Sequence, residues 1–190
     1  MTKEFEQVEI TSPEALHAWL TAHHAQEESV WLVTWKKASP GKYVSREAVL
    51  DALIAFGWID GRRARRDDDR TMQLISPRRT QAWAESYKAR AARLEAEGRM
   101  EAPGRASIAV GKASGLWDAM ADVDALIVPD DLAAALKTEP GAEAHFTAAA
   151  PSYRRNILRW IKRAKGEATR AKRIATIVAQ SARGEKVPQM

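Results

Sequence analysis

The strongest constraint on the fold of this 190-residue chain is a pair of strand-like segments on either side of three consecutive aspartates. Residues 58–66 and 70–76 are rich in residues that favour strands, and Asp67, Asp68 and Asp69 between them tolerate turn geometry. Pro77 ends the second segment, because proline cannot donate a ladder hydrogen bond. The pattern predicts a β-hairpin.

The rest of the chain predicts helices around this hairpin and then helices alone. Residues 29–38 alternate as a strand does, and Ser45 begins a helical apolar stripe that ends before Gly57. Further helices are predicted at 81–97 and 103–112, and four more follow Pro129. We therefore predict an α+β body with a small antiparallel sheet of about three strands or slightly more, followed by an all-helical unit. The predicted boundary separates residues 1–122 from residues 123–190, with a linker at 123–129.

The positive charge is concentrated in the last forty residues. Residues 151–190 carry 11 basic and two acidic side chains, a formal charge of +9, whereas residues 1–150 carry 19 basic and 23 acidic side chains. Such a segment favours anionic partners. Nucleic acid bound by the basic C-terminal helices is one alternative, and a solvated basic face, or one docked on an acidic protein surface, is the other.

Composition and motifs exclude several classes of chemistry. The chain has no cysteine, which excludes disulfides, iron–sulfur clusters and thiol catalysis. None of the four histidines forms an i, i+4 pair suited to a helical metal site, and no phosphate-binding or nucleophile-elbow motif is present. We expect no metal, no cofactor and no catalytic residue, although an enzyme remains an open alternative. The acidic N-terminus and the lack of a long apolar run predict a cytoplasmic protein without a membrane span.

Arginines crowd the predicted hairpin and the residues after it. Guanidinium groups can hold phosphate or carboxylate through two parallel hydrogen bonds, and Gly61 would let a ligand approach closely. We predict that these residues bind an anionic small molecule. The predicted site consists of Trp58, Asp60, Arg62, Arg63, Arg65, Arg78 and Arg79.

Two other interpretations of the same residues remain. The hairpin could be a solvated charged edge whose arginines pair with nearby aspartates. Alternatively, Asp60 could act as a base beside the arginines of an enzyme. A cation site at the three aspartates is disfavoured, because the neighbouring arginines oppose it and the segment lacks the glycine and distal glutamate of a calcium loop.

A series of short motifs carries a family resemblance. The string FGWIDGRR at 56–63 precedes the acidic turn, and Ser76-Pro77-Arg78-Arg79 with Trp83 follows it. Residues 97–100 (EGRM), 128–132 (VPDDL) and 164–174 extend the series, with Lys172 standing where an arginine is expected. The chain resembles the bacteriocin-protection, YdeI or OmpD-associated family. The resemblance implies a soluble bacterial protein of two units that serves in stress protection, and it implies no reaction, cofactor or catalytic residues.

Overall fold

In the computed structural model, which describes residues 5–188, four strands form one sheet. The order is β1-β2-β4-β3, with β1 (Gln7–Glu9), β2 (Val30–Trp35), β3 (Trp58–Arg65) and β4 (Arg70–Pro77). The predicted hairpin is confirmed as the antiparallel pair β3–β4. The sheet is mixed, however, because β1 pairs in parallel with β2. Three residues are too few to show a period-two pattern, so the sequence did not reveal β1.

The first unit ends at Ala119, and its described residues form four helices besides the sheet. They are α1 (Pro13–His23), α2 (Arg46–Ala55), α3 (Glu85–Ala96) and α4 (Ala102–Ala113). Ser12 and Ser45 cap α1 and α2, each accepting a backbone hydrogen bond at 3.1 Å. Helix α3 begins four residues later than predicted, after a segment in which the backbone N–H of Trp83 donates to Leu116 O at 3.0 Å.

Helices α1 and α2 cover one face of the sheet. Leu16 and Leu53 from these helices pack in one core cluster with Leu32, Trp58 and Ile75 from the strands. Burial of such apolar side chains contributes roughly 1.5–3 kcal/mol each. Further along this same face, β2, β3 and β4 carry polar side chains.

The second unit begins at Met120 and is all-helical, as predicted. Its helices are α5 (Ala121–Asp124), α6 (Asp130–Leu136), α7 (Ala142–Ala148), α8 (Pro151–Lys162) and α9 (Glu167–Ala182). Phe146, Ile157 and Ile177 are at most 1 % exposed and form its core. Val123, which we placed at the start of a linker, is instead buried in that core. Within residues 5–188, no helix is both long and apolar enough to cross a membrane.

A buried carboxylate helps to join α2 to α3. Asp51 on α2 is 7 % exposed and accepts hydrogen bonds from Arg90, from Arg93 at 2.6 Å and from Arg99 at 3.3 Å. Burial opposes ionisation of this carboxyl group, but the hydrogen bonds from Arg93 and Arg90 outweigh it and hold the pKa of Asp51 below its usual value. The native state therefore favours the ionised form of Asp51.

Replacing Asp51 should destabilise the first unit in a pH-dependent way. Asp51→Asn removes the negative charge that three guanidinium groups share and replaces one acceptor oxygen by an NH2 group that faces their donors. We expect it to lower the free energy of unfolding by about 2–3 kcal/mol at pH 7. Because the folded-state pKa is depressed, this contribution is present above the unfolded-state pKa and is lost as pH falls through the folded-state value. Urea unfolding between pH 7 and pH 2.5 would measure both effects.

The matched control for that experiment is Glu95→Gln. Glu95 forms an exposed ion pair with Arg105 at 3.0 Å, and exposed pairs contribute at most about 1 kcal/mol. If the two variants lose equal stability, or if the difference between Asp51→Asn and the natural protein does not narrow in acid, Asp51 does not have the role assigned to it.

Candidate functional site

A buried amide organises the polar part of the helix-covered face. Gln73 on β4 is 7 % exposed and sits opposite Arg63 of β3. Its Nε2 donates to Asp60 Oδ2 at 2.9 Å, and its Oε1 accepts from Arg63 Nη2 at 3.3 Å. Since an amide has a donor end and an acceptor end, the bond to Asp60 fixes which end faces Arg63.

A bulge in β3 makes this arrangement possible. The pairing shifts between Asp60 and Arg63, so that two residues of β3 oppose one residue of β4. In a regular strand, residues three apart point to opposite faces. The shift instead brings Asp60 and Arg63 to the same face as Gln73. Gly61 lies at the bulge, where an added Cβ would be 3.2 Å from Leu74 O.

The second oxygen of Asp60 also has a partner. The Tyr87 hydroxyl from α3 donates to Asp60 Oδ1, while Oδ2 accepts from Gln73. Burial, together with the hydrogen bond to Asp60, raises the pKa of Tyr87 to about 12. Tyr87 thus stays protonated and keeps donating at neutral pH, and Asp60 acts as an orienting acceptor in this arrangement.

A small cavity of about 170 Å³ opens beside Gln73, where the sheet meets the start of α2. Four cationic side chains line it, and we call it the basic pocket: Lys36, Lys37, Arg46 and Arg63. The hydroxyls of Thr34 and Thr71, 3.3 Å apart, face each other across the strands in its wall. No aspartate or glutamate occurs among the described residues that line it.

The elements of the fold bring these cations together from three places in the sequence. Lys36 and Lys37 follow the end of β2, Arg63 comes from β3, and Arg46 is the first residue of α2. The backbone N–H and the Nζ of Lys36 donate to Asp69 O at 2.9 Å and Asp68 O at 2.6 Å. The N-terminal end of α2 adds its partial positive charge to the same region.

Of the seven residues predicted as the site, only Arg63 lines the basic pocket. Trp58 is 1 % exposed and packs in the core, where its Nε1 donates to His24 O at 3.3 Å. Arg62 lies over the Trp31 ring at 5.2 Å. Arg65 pairs with Asp68 at the exposed end of the hairpin. The predicted cluster is therefore dispersed, and Trp58 is a core residue.

Arg78 and Arg79 lie beyond the hairpin in a different environment. Arg78 stacks on the Trp83 ring, with its guanidinium carbon 4.0 Å from the ring centroid. Arg79 Nη2 donates to Glu27 O at 3.3 Å. Neither residue lines the basic pocket, because the pocket lies beside Thr71 and Gln73, whereas these two arginines follow the opposite end of β4.

Comparison with known families divides the chain much as its core clusters do. Residues 8–107, more than half of the chain, match the family described as a domain of unknown function (DUF8412). The chain belongs to this family. Residues 125–184 match the family described as Bacteriocin-protection, YdeI or OmpD-Associated, which confirms the resemblance for the C-terminal unit only. No curated protein and no solved structure matched the chain.

All four cations of the basic pocket fall inside the DUF8412 region, as does the buried amide beneath them. The sequence interpretation missed Lys36, Lys37 and Arg46 because they are far from the arginine-rich hairpin in sequence. Pairing β2 with β4 would have revealed them, since it sets Thr34 opposite Thr71 beside the end of the hairpin. In the part of the chain that the structure describes, no group of three or more histidine, aspartate or glutamate side chains could hold a metal ion.

Asp60 should be needed for stability because it orients Gln73. In Asp60→Asn the side chain has a single acceptor oxygen, so its NH2 group would face one of the two groups that donate to Asp60. We expect a loss of about 1–3 kcal/mol in the free energy of unfolding. Asp69→Asn makes the same change at an exposed turn position and should cost less than about 0.5 kcal/mol. Thermal and urea unfolding would compare the two. An Asp60→Asn variant as stable as the natural protein would contradict the orienting role.

Proposed function

We propose that this protein binds an anionic ligand in the basic pocket and acts as a non-catalytic protection protein. The observation that carries the proposal is the set of four cations around a cavity whose described lining has no carboxylate. The bacteriocin-protection match of the C-terminal unit supports the protective role. An anionic ligand would relieve the repulsion among these like charges, which is the physical reason for expecting one.

The chemistry of the pocket favours a phosphate group. Guanidinium groups offer forked donors, lysine ammonium groups offer point charges, and threonine hydroxyls can donate to remaining oxygens. A volume of about 170 Å³ is below the roughly 300 Å³ at which pockets enclose a whole small molecule, so it suits an anionic group with the rest of the ligand outside. Four cations match a dianion better than a monocarboxylate.

The same lining favours binding over catalysis. The described residues around the cavity supply cations, hydroxyls and an amide, but no histidine or carboxylate that could serve as a general base. Asp60 lies behind Gln73 and already accepts two hydrogen bonds. The enzyme alternative with Asp60 as base therefore has less support than a binding role.

Nucleic acid as the partner of the C-terminal helices also has less support. Part of the positive charge of that unit is paired within the unit: Lys162 contacts Asp122 at 2.5 Å, and Arg170 contacts Asp131 at 2.6 Å. Arg173 donates to the Trp160 carbonyl. These contacts reduce the number of side chains available to phosphates, although residues such as Lys165 and Lys172 remain exposed.

Removing Arg63 tests the proposal. We expect isothermal titration with inorganic phosphate to show saturable binding, and Arg63→Gln to weaken it about tenfold, as the loss of one charge-assisted hydrogen bond implies. Arg65→Gln is the matched control, because it removes the same charge from the same strand at an exposed position outside the pocket. Arg65→Gln should change the affinity by less than about twofold.

Two results would overturn this function. If both variants lowered the phosphate affinity equally, the effect would be a general response to surface charge. If Arg63→Gln left the phosphate affinity unchanged, any bound phosphate would lie outside the basic pocket. Acetate at the same concentration serves as a further comparison, since a pocket with four cations should bind the monoanion more weakly than phosphate.

A further inference from the structure

We propose that the ligand of the basic pocket is a nucleoside 5′-monophosphate, whose phosphate group enters the pocket and whose base stacks on Tyr43. This inference rests on the proposed function and names the class of ligand. A pocket of about 170 Å³ holds a phosphate group, but a sugar and a base must lie outside it. The side chains of the lining that reach the protein surface therefore indicate what the phosphate is attached to.

An accessible aromatic ring belongs to this lining. Trp35 and Tyr43 line the pocket together with its four cations. Tyr43 is the only exposed phenylalanine, tyrosine or tryptophan within residues 5–188, with an exposed fraction of 39 %. A planar base stacks favourably on an aromatic side chain, and a tyrosine ring beside a phosphate site supplies the surface that such stacking requires.

The other aromatic ring of the lining is already covered by side chains. Lys42 Nζ lies 4.3 Å and the Arg70 guanidinium carbon 5.4 Å from the ring of Trp35, and Trp35 Nε1 donates to Glu9 Oε1 at 2.9 Å. In the part of the chain that the structure describes, no ring or cation is stacked on Tyr43. Tyr43, and not Trp35, is therefore the ring that can receive a base.

The backbone holds Tyr43 close to the cations that would bind the phosphate. Trp35 and Tyr43 form a parallel bridge, which closes the loop between them. The same loop begins with Lys36 and Lys37 of the pocket. Val44, the residue after Tyr43, is 4 % exposed and packs in the core of the sheet. One anchored segment thus presents both the ammonium groups and the ring.

The charge of the pocket favours a free nucleotide over the interior of a nucleic-acid strand. A phosphate monoester carries close to two negative charges at pH 7.5, because its second pKa is about 6, and it offers three acceptor oxygens. Each phosphodiester of a strand carries one negative charge. The cations that surround the pocket are four, and its described lining has no carboxylate, so the monoester is the better match.

Isothermal titration at pH 7.5 with AMP, ribose 5-phosphate and adenosine tests the inference. AMP and ribose 5-phosphate share the sugar and the phosphate, so the ratio of their affinities reports the contribution of the base. We expect AMP to bind about tenfold more tightly, as stacking on one aromatic ring implies. Adenosine lacks the phosphate and should not saturate the site at the concentrations used for AMP. A dinucleotide of two adenosines joined by one phosphodiester should bind more weakly than AMP.

Two variants of Tyr43 assign the base to its ring. Tyr43→Leu removes the ring and keeps an apolar side chain, whereas Tyr43→Phe is the matched control that keeps the ring. The preference for AMP over ribose 5-phosphate should fall below about twofold in Tyr43→Leu and stay near tenfold in Tyr43→Phe. Each preference is measured within one variant, so a change in the phosphate site affects both ligands alike.

The outcomes distinguish this inference from the proposed function. If inorganic phosphate binds in a way that depends on Arg63, but AMP binds no more tightly than ribose 5-phosphate, the basic pocket stands and the nucleotide is wrong. The nucleotide is also wrong if Tyr43→Leu keeps the full preference for AMP, or if the dinucleotide binds as tightly as AMP. If inorganic phosphate does not bind, the proposed function fails, and this inference fails with it.

Discussion

The polar side of the first unit depends on the buried amide of Gln73. An amide in that position can donate to Asp60 with its NH2 group only by turning its oxygen toward Arg63, and the two contacts of 2.9 and 3.3 Å follow this order. The chain of hydrogen bonds continues to the Tyr87 hydroxyl and so ties β3, β4 and α3 together. The position of Arg63 in the basic pocket is thereby fixed by Gln73, which lines the pocket, and by Asp60 and Tyr87, which do not.

Local signals in the sequence were sufficient for much of the fold. Ser12 and Ser45 predict the starts of their helices, because a capping hydroxyl bonds a backbone N–H three residues later. The hairpin is predicted by the aspartates of its own turn. The parallel strand Gln7–Glu9 and the late start of α3 depend on partners that are distant in the chain, namely β2 and Leu116. The secondary-structure propensity of a segment carries no information about partners that are distant in the chain.

The candidate site was less predictable for a similar reason. The arginines are neighbours in the sequence, but successive side chains of a strand point to opposite faces of the sheet. The bulge then changes which residues of β3 share a face. A period of two from Trp58 would group Arg62 with Asp60, whereas the structure groups Arg63 with it. The composition of the hairpin predicted anion binding, which stays a prediction, and three of the four cations in the basic pocket come from outside the hairpin.

The bulge has a further consequence for the behaviour of the molecule in concentrated solution. Strand β3 lies at the edge of the sheet, where unpaired backbone groups could recruit a strand from another molecule. An irregular backbone at Gly61, flanked by the exposed charges of Arg62, Arg63 and Arg65, offers no straight ladder for such an addition. The bulge that brings Arg63 to the face of Gln73 thus also makes this edge a poor template for strand addition.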